Sequence, residues 1–435
     1  MIPEKLKYKN TGIEWMPQIP EHWKVVRIKN LFLEIDERSE TGNEELLSVS
    51  HYTGVTLKKE NLENESDHLT NAESLEGYKR VKKNDLIINI MLAWNGSLGI
   101  SPFDGITSPA YCVYRIKEDN NPKYFGYLFS TTLFKSEFRK HSTGIIDSRL
   151  RLYSDKFYNI CSFVPPLAEQ SSIVACIKTK EEKINRFIQK KQRLIELLKE
   201  QRQSIINEAV TKGVNPNVKM KPSGIEWLGD MPEHWGIRRL KNISIVVLGK
   251  MLCNDDKGGY LLKPYLKSKN IGWEKVLVDD IEEMWFSQLE TEIYRIYKND
   301  LLVSEGGEVG KTCIWKNELE ECYIQNSVHK ISFYKNYYSE YYLYYFGALG
   351  SIGFFKSIVN QVSIAHLTKE KITVIGCFIP PLSEQRQIVS HIKTETATID
   401  IAISKAEKEI ALIKEYKEAL ISEAVTGKSR IFVPK

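Results

Sequence analysis

The sequence has few cysteines and no long apolar run. Its seven cysteines are an odd number in 435 residues, and none stands in a Cys-x-x-Cys pair. We therefore expect no disulfide framework, zinc ribbon or thioredoxin motif. No stretch approaches the roughly 18 consecutive apolar residues of a membrane-spanning helix, and the first residues, MIPEKLKYKN, lack the apolar core of a secretory signal. These absences predict a protein of the reducing cytoplasm without a membrane segment.

The chain also has little excess charge. Lys and Arg number 61 and Asp and Glu number 56, which leaves a net charge of +5. Residues 20–165 hold 19 basic and 20 acidic side chains, so a nucleic-acid interface in this segment must consist of local patches. The content of 42% hydrophobic and 27% charged residues is that of a globular protein, and the length predicts two or more domains.

The segment after residue 304 is similar to a phosphate-binding loop but lacks its first glycine. Gly310-Lys311-Thr312 matches the end of G-x-x-x-x-G-K-[ST], whereas Glu305 stands at the position of the first glycine. A carboxylate at this position would repel a phosphate group. We therefore interpret the segment as a turn or hairpin after a strand.

Motifs for methyl transfer and metal catalysis are missing as well. Asn121-Pro122 lacks the second proline and the aromatic residue of the motif that holds a flipped amino base, no G-x-G run follows a strand, and no H-E-x-x-H is present. The Asp255-Asp256 and Asp279-Asp280 pairs are interpreted as solvated loops. We predict no catalytic centre, no cofactor site and no metal site in this chain.

The strongest pattern is an internal repeat. Five motifs recur in the same order, the first two at an offset of 212 residues and the other three at 215. The chain is therefore a duplicated unit, and we interpret the repeated His22 and His234 as structural contacts. The motifs begin at Gly12 (GIEW), Pro20 (PEHW), Lys83 (KNDL), Phe163 (FVPPL) and Glu208 (EAVT), and recur at Gly224, Pro232, Lys298, Phe378 (FIPPL) and Glu423.

Each copy has the same order of segments. A short segment with tryptophans precedes a mixed region rich in aromatic and β-branched residues. An apolar strand then ends at a double proline, which neither continues a strand nor lies inside a helix, and a long helix follows. The predicted boundaries are an N-terminal segment 1–19, a first mixed region 20–167, a first helix 168–212, a linker 213–231, a second mixed region 232–382, a second helix 383–428 and a tail 429–435.

The two predicted helices have the 4-3 apolar spacing of a coiled coil. Such residues form a narrow seam that another helix can bury. Either each helix packs on its own mixed region, or the two helices form an antiparallel pair, which would place the mixed regions at opposite ends. Lys191 and Lys417 interrupt the seam and either fix its register or extend to solvent. The predicted seam residues are Ile177, Ile184, Phe187, Leu198, Ile205, Ile392, Ile399, Ala406, Ile413 and Leu420.

The predicted fold class is α+β, with two mixed α/β domains joined by two long helices in an antiparallel coiled coil and related by a pseudo-twofold repeat. The helices and the Pro-Pro junctions of the two copies are similar, but the mixed regions differ. The sequence Ile146-Asp147-Ser148-Arg149 corresponds to Gln361-Val362-Ser363-Ile364. This divergence indicates a shared frame that presents two different recognition surfaces.

The repeated motifs resemble those of the specificity subunits of Type I restriction-modification systems. The resemblance rests on GIEWMPQIPEHW and GIEWLGDMPEHW, on the KNDL pair, on FVPPLAEQ and FIPPLSEQ, and on helices ending in NEAVTKG and SEAVTGK. It covers essentially the whole chain. It implies two target recognition domains that each recognise one half of a split DNA sequence, and a helical spacer that sets the separation of the halves.

The resemblance also implies partners. These are double-stranded DNA, two modification (methyltransferase) subunits that dock on the frame, and restriction subunits that complete a nuclease. S-adenosylmethionine, ATP and magnesium are expected on those subunits and not on this chain.

Basic, amide and hydroxyl side chains in the mixed regions are the candidates for DNA contacts. Arg and Lys suit guanine edges or phosphates, and Asn and Gln suit adenine edges. Each one alone is also explained as a solvated surface residue; together they predict a DNA-facing surface. The candidates are Lys79, Arg80, Lys83, Asn95, Arg139, His141, Ser142, Thr143, Ser148, Arg149, Arg151, Lys311, Gln325, Asn326, Gln361, Ser363, His366 and Lys369.

Other functions stay open at this point. The chain is also compatible with a DNA-recognition subunit of a methyltransferase-only or Type IIB/IIG-like system. A fused nuclease or methyltransferase is opposed by the missing donor-binding and Asn-Pro-Pro-aromatic motifs. A coiled-coil scaffold unrelated to DNA would give no DNA protection when mixed with modification subunits.

Overall fold

The computed structural model describes residues 7–51, 53–58, 74–117, 119–146, 149–225, 228–359 and 366–428. The chain divides into two compact units, unit 1 with Met1–Lys191 and Lys408–Lys435, and unit 2 with Gln192–Glu407. The predicted domains are consecutive segments that keep each long helix intact, whereas this division cuts both long helices. Each unit therefore combines one mixed region with the beginning of one long helix and the end of the other.

Unit 1 contains twelve described strands, three short helices and the beginning of a long helix. The strands are β1 Tyr8–Asn10, β2 Gln18–Pro20, β3 Lys24–Arg27, β4 Phe32–Ile35, β5 Leu47–Ser50, β6 Gly54–Leu57, β7 Lys79–Val81, β8 Leu86–Asn89, β9 Leu98–Ile100, β10 Gly105–Thr107, β11 Tyr111–Ile116 and β12 Cys161–Val164. The helices are α1 Pro122–Ser130, α2 Thr132–His141, α3 Ser154–Asn159 and α4 Leu167–Lys212, which continues into unit 2.

Unit 2 contains eleven described strands and the beginning of the second long helix. The strands are β13 Met220–Pro222, β14 Asp230–Pro232, β15 Gly236–Arg239, β16 Ser244–Leu248, β17 Leu261–Leu266, β18 Glu282–Phe286, β19 Leu301–Ser304, β20 Thr312–Ile314, β21 Tyr323–Ile324, β22 Val328–Phe333 and β23 Gly376–Ile379. The helices are α5 Gln288–Tyr294, α6 Ser339–Ser351, α7 Phe354–Ile358, α8 Lys369–Thr373 and α9 Leu382–Val425, which continues into unit 1.

The central sheet of unit 1 is antiparallel, in the order β4-β11-β8-β9. Successive side chains of a strand point to opposite faces. Leu86 and Ile88 of β8 therefore join the core that contains the aromatic residues of α1 and α2. Ile87 instead packs with Leu47 and Val49 of β5 in a second core. Because β8 is covered on both faces, all of its residues are buried.

Unit 2 builds the equivalent sheet in the order β16-β22-β19-β20. Leu301 and Val303 of β19 join the core that contains α6, and Leu302 faces a second core with Cys313. Unit 2 adds a sheet in the order β18-β17-β21. In the described part of unit 1, the second core is covered by the β5–β6 hairpin and β7. The two mixed regions thus share one sheet and differ in what covers it.

The two long helices pack on each other in antiparallel orientation. In unit 1, Ile173 and Ile177 near the start of α4 share a core with Leu420 and Ala424 near the end of α9. In unit 2, the end of α4 shares a core with the start of α9, through contacts that include Ile206, Ala209, Ile388 and Ile392. The apolar 4-3 spacing is therefore satisfied between the helices, as well as against the mixed regions.

The seam deviates from the predicted positions in α4. Phe187 is 39% exposed, and its neighbour Ile188 is half-buried instead. Ile195 and Ile206 are buried, whereas Leu198 and Ile205 are half-buried. The reason is that a straight helix drifts by about 20° per heptad relative to a strict 3.5-residue repeat. The remaining predicted seam residues are buried at Ile177, Ile184, Ile392, Ile399, Ala406 and Leu420 and half-buried at Ile413.

The seam lysines are both paired with glutamates of the facing helix in unit 1. Lys191 Nζ lies 2.6 Å from Glu409, and Lys417 Nζ lies 3.1 Å from Glu181. Moving forward along α4 from Glu181 to Lys191 moves the partner backward along α9, as an antiparallel pair requires. These contacts favour the fixed-register interpretation of the two lysines.

The PEHW and Pro-Pro-Leu-x-Glu-Gln motifs repeat because they bind each other. Glu169, in the first turn of α4, accepts hydrogen bonds from His22 Nε2 at 2.7 Å and from Trp23 Nε1 at 3.1 Å. In unit 2, His234 Nε2 lies 2.8 Å from Glu384 Oε2. The two histidines therefore hold the tryptophan-containing segments to the helix starts, as the structural interpretation predicts.

The glutamine of the same motif fixes the first helix of each mixed region. Gln170 Oε1 accepts a hydrogen bond from the N–H of Asn121, the residue before α1, and its Nε2 donates to the Pro165 carbonyl. Gln385 likewise accepts from the N–H of Tyr338, the residue before α6, and donates to the Pro380 carbonyl, both at 2.8 Å. Both glutamines are buried.

The ends of the long helices are held by tyrosines. In unit 1, Tyr124 of α1 donates a hydrogen bond to the Val425 carbonyl at the end of α9. In unit 2, Tyr341 of α6 donates to the Val210 carbonyl near the end of α4. Both bonds are 2.9 Å long and buried. Each mixed region thus contacts the start of one long helix through a glutamine and the end of the other through a tyrosine.

The KNDL motif forms the turn before the central strand. Asn84 and Asn299 both have a φ of 75°, a left-handed conformation that asparagine tolerates better than most residues. The buried Asp85 accepts a hydrogen bond from the Lys82 N–H and is also bonded by Arg115. Asp300 accepts from the Tyr297 N–H in the same way. The motif is conserved between the copies because it closes this turn.

The described residues contain no obvious membrane or metal feature. None of their helices combines the length and apolar character needed to cross a bilayer. Within the same ranges, no group of three or more His, Cys, Asp or Glu side chains is arranged to hold a metal ion.

We predict that replacing Gln385 by leucine destabilises the protein by about 1–3 kcal/mol, because it leaves the Tyr338 N–H and the Pro380 carbonyl buried without a partner. Gln387, two residues along α9, is exposed, so Gln387→Leu should change the free energy of unfolding by no more than about 0.5 kcal/mol. Chemical denaturation of the full chain measures both. Equal stability of the two variants would contradict this role of Gln385.

Candidate nucleic-acid interface

Both units place a loop beside the same segment at one end of the central strand. In unit 1, the loop 90–97 follows β8, and the Leu152 N–H donates to the Ile90 carbonyl at 2.9 Å. In unit 2, the loop 305–311 follows β19, and the Leu367 N–H donates to the Glu305 carbonyl at 2.9 Å. Both pairs are related by the 215-residue offset. The two mixed regions therefore share this backbone arrangement, which we call the frame, although their loop sequences differ.

In unit 1 this frame carries an aromatic and basic surface. The guanidinium carbon of Arg139, in the last turn of α2, lies 5.2 Å from the centre of the Trp94 ring. Such a contact orients the guanidinium group over the face of the ring. Asn95 is half-buried next to Trp94. The structure thus places the predicted Arg139 on Trp94, whose neighbour in the sequence is the predicted Asn95.

The loop 143–151 closes onto itself next to this surface. The backbone N–H groups of Thr143 and Arg151 each donate to the other's carbonyl at 2.9 Å. Arg149 is exposed, and Arg151 is half-buried with its NH1 donating to the Leu150 carbonyl. The predicted residues Thr143, Arg149 and Arg151 therefore belong to one closed loop, and the predicted Ser148 lies outside the described residues.

Two of the predicted residues in this area have local structural roles. His141 Nδ1 lies 2.9 Å from the Glu137 carbonyl, and Ser142 Oγ donates to the Phe138 carbonyl. Both side chains thereby make local contacts near the end of α2, and the Phe138 carbonyl is one of the last four of the helix, which lack an intrahelical donor. A contact with DNA is not needed to explain either residue.

Lys79, Arg80 and Lys83 lie before β8, at the other end of this strand from the loop 90–97. Lys79 is only 7% exposed, and its Nζ lies 3.7 Å from Asp36. This burial and the nearby carboxylate oppose a contact between Lys79 and a phosphate. Arg80 Nε is 3.3 Å from Glu44, and Lys83 is exposed.

In unit 2 the frame is built from amide and hydroxyl groups. The Glu305 N–H donates to the Ser327 carbonyl, which brings the loop 305–311 beside residues 325–327. Gln325 accepts a hydrogen bond from the Ser327 hydroxyl, and its amide donates to Asn326. The predicted residues Gln325 and Asn326 are half-buried and positioned by each other.

His366 lies beside Gly306 of the same loop and is exposed. Burial raises the pKa of Glu305 above its usual value, and the neighbouring His366 acts in the opposite direction. Lys369 is the exposed first residue of α8. The predicted Gln361 and Ser363 lie outside the described residues.

The segment that is similar to a phosphate-binding loop is a turn between two strands. Gly307 and Gly310 have positive φ, and the Gly310 N–H donates to the Ser304 carbonyl. Strand β20 begins at Thr312, whereas a phosphate-binding loop leads into a helix. Lys311 is paired with Glu308, which reduces its value as a phosphate contact.

Sequence reasoning missed Trp94 as part of this surface and the acidic partners that neutralise several candidates. The Trp94-Asn95-Gly96-Ser97 turn was visible in the sequence, but its stacking on Arg139 depends on residues 45 positions apart. The i,i+3 spacing of Glu308 and Lys311 was a local signal for their pairing. The contact of Lys79 with Asp36 had no local signal.

Comparisons with known proteins find sequence similarity to Type I restriction specificity subunits. Residues 232–412 match the family described as Type I restriction modification DNA specificity domain. The chain is 24% identical to the Type I restriction enzyme MjaVIII specificity subunit of Methanocaldococcus jannaschii, over 95% of this chain and 94% of that protein. A segment is 26% identical to the Type I restriction enzyme EcoBI specificity subunit of Escherichia coli, over 33% of this chain and 30% of that protein.

The fold has solved counterparts. A chain from a structure described as the basis of complex assembly and conformational transition of the type I R-M system aligns with a TM-score of 0.69 and 16% identity. The alignment covers 94% of this chain and 99% of that chain. The predicted fold class is confirmed.

We predict that Arg139→Gln weakens binding of the full chain to duplex DNA and lowers the slope of log affinity against log salt by about one, because one phosphate contact is lost. Lys79→Met should leave this slope unchanged. Arg193→Gln, at an exposed arginine of α4, is the matched control for loss of one positive charge. Salt titrations of binding measure all three variants, and an Arg139→Gln slope equal to that of Arg193→Gln would remove Arg139 from the interface.

Proposed function

We propose that the chain is the DNA sequence-specificity subunit of a Type I restriction-modification complex. Residues 232–412 match the family described as Type I restriction modification DNA specificity domain. The predicted resemblance to Type I specificity subunits is confirmed by relatives, one of which aligns over 95% of this chain. Each mixed region recognises one half of a bipartite DNA target. The paired helices set the separation of the halves.

The main support for this proposal is that the two mixed regions have equivalent backbone contacts but different side chains in the loops around them. The Ile90–Leu152 and Glu305–Leu367 backbone contacts are equivalent, yet the side chains around them differ in kind. Unit 1 offers aromatic and arginine groups, and unit 2 offers amide, hydroxyl and imidazole groups. Arginine and amide side chains pair with different base edges. A protein that recognised one sequence twice would have no need for this difference.

The division of labour with partner subunits is also part of the proposal. This chain supplies recognition and no catalytic group, and the modification subunits bring S-adenosylmethionine. Restriction subunits, where they are present, bring ATP and magnesium. Because such a complex acts on chromosomal and incoming DNA, the chain works in the cytoplasm.

The helices offer a surface for the modification subunits. Leu412 and Tyr416, one turn apart on α9, are 64% and 53% exposed. Leu197, which corresponds to Leu412 at the 215-residue offset, is 46% exposed on α4. Exposed apolar side chains at equivalent places of a duplicated frame support the docking of two copies of one partner.

A methyltransferase-only system is the second candidate, and it uses the same recognition chemistry without restriction subunits. It differs from the first in the partners that copurify with the chain and in ATP-dependent cleavage of unmodified DNA. A scaffold unrelated to DNA has no use for the recognition frame described above.

The proposal is tested by exchanging residues 20–165 for the equivalent region of another specificity subunit. The donor should retain counterparts of His22, Trp23, Asn121 and Tyr124, since these residues contact the long helices. With the modification subunits present, we expect the exchange to change one half of the methylated sequence and to leave the other half and the gap unchanged.

The reciprocal exchange of residues 232–380 is the control and should change only the other half. Sequencing of methylated bases in genomic DNA from the expressing cells measures both. The proposal fails if either exchange alters both halves, or if the parent chain directs no methylation.

A further inference from the structure

The tip of the loop 143–151 in unit 1 is an exposed apolar surface. Ile145 is 99% exposed and Ile146 is 53% exposed. Single exposed apolar residues are common on protein surfaces, but two adjacent β-branched side chains at the tip of a closed loop form a surface that gains from burial against a partner.

The described residues on both sides of this tip are joined by backbone hydrogen bonds. The two backbone hydrogen bonds between Thr143 and Arg151 close the base of the loop, and the Arg149 N–H donates to the Ile146 carbonyl at its tip. Gly144 has a φ of 151°, and a Cβ at this position would lie 2.5 Å from the Arg149 carbonyl oxygen. The backbone at this position therefore needs glycine.

Exposed basic residues precede and follow the tip along the chain, while Asp147, directly after Ile146, lies outside the described residues. Arg139 and Lys140 end α2 and are exposed, and Arg149 is exposed within the loop itself. Glu137, by contrast, is buried. The partner that fits this surface is anionic at its edges and apolar in between. The major groove of DNA meets this description, because phosphates flank it and thymine places a methyl group on its floor.

We propose that Ile145 and Ile146 contact thymine 5-methyl groups in the major groove and thereby specify T·A pairs in the half-site that unit 1 recognises. This inference rests on the proposed function and deepens it. At the 215-residue offset the second copy has Asn360 and Gln361, which lie outside the described residues.

The test is a double-mutant cycle that combines substitutions in the protein with base replacements in the DNA. The full chain with its modification subunits is bound to a duplex that carries its methylated sequence, and each thymine of the unit 1 half-site is replaced in turn by uracil. This replacement removes only the methyl group. At one or two positions we expect the parent complex to lose about three- to tenfold in affinity.

The variant Ile145→Ala with Ile146→Ala should bind the thymine duplex as weakly as the parent binds the uracil duplex, with no further loss on uracil. Ile145→Val with Ile146→Val should retain most of the sensitivity to the methyl group. The matched control is Met251→Ala with Leu252→Ala, an adjacent pair that is 74% and 52% exposed in unit 2. This control should keep the full sensitivity to uracil in the unit 1 half-site.

The inference is overturned if the parent complex is insensitive to uracil throughout that half-site, or if the losses from the alanine variant and from uracil multiply. Loss of the modification subunits from the alanine variant would assign the tip to a protein contact and would also overturn it. A parent complex that recognises no bipartite sequence indicates instead that the proposed function is wrong, and this result is obtained before any variant is compared.

Discussion

The packing of the start of one long helix against the end of the other is the constraint on which each unit depends. It places three groups in fixed positions, which are the glutamate and glutamine of the helix start and a free carbonyl of the helix end. In unit 1 these are Glu169, Gln170 and the Val425 carbonyl, and the mixed region binds all three. The mixed region is thus attached through contacts that do not involve its recognition loops. Those loops can diverge without loss of the frame.

Apolar burial and ion pairs contribute differently to this packing. The seam is stabilised mainly by residues such as Ile177, Ile392 and Leu420, because burying an aliphatic side chain contributes about 1.5–3 kcal/mol. The partly exposed Lys191–Glu409 and Lys417–Glu181 pairs contribute at most about 1 kcal/mol each. Their main effect is on specificity, since a shifted register would leave these charges facing apolar groups. Unit 2 has a similar ion-pair contact, in which Arg202 of α4 binds Glu274 of the mixed region and Asp400 of α9.

The attachment of each mixed region to the long helices could be predicted from the sequence, because its contacts involve repeated motifs. Pro-Glu-His-Trp and Leu-x-Glu-Gln recur together, since His22 binds Glu169 and His234 binds Glu384. The recognition surface could be predicted only in part. Lys79 lies near Asp36, a residue 43 positions earlier that directly follows β4, and the sequence contains no local signal for this contact. The division of each long helix between two units agrees with the predicted antiparallel pair, in which the start of each helix meets the end of the other.

The central claim is that the paired helices set the gap between two half-sites. The direct test inserts seven residues between Lys191 and Gln192 and a matching seven between Glu407 and Lys408, so that the antiparallel seam stays in register. One heptad adds about 10 Å of helix, or about three base pairs of DNA. Sequencing of the methylated motif should give the same two half-sequences separated by a longer gap, on the order of three base pairs. Methylation of both half-sequences at the original gap would contradict the account.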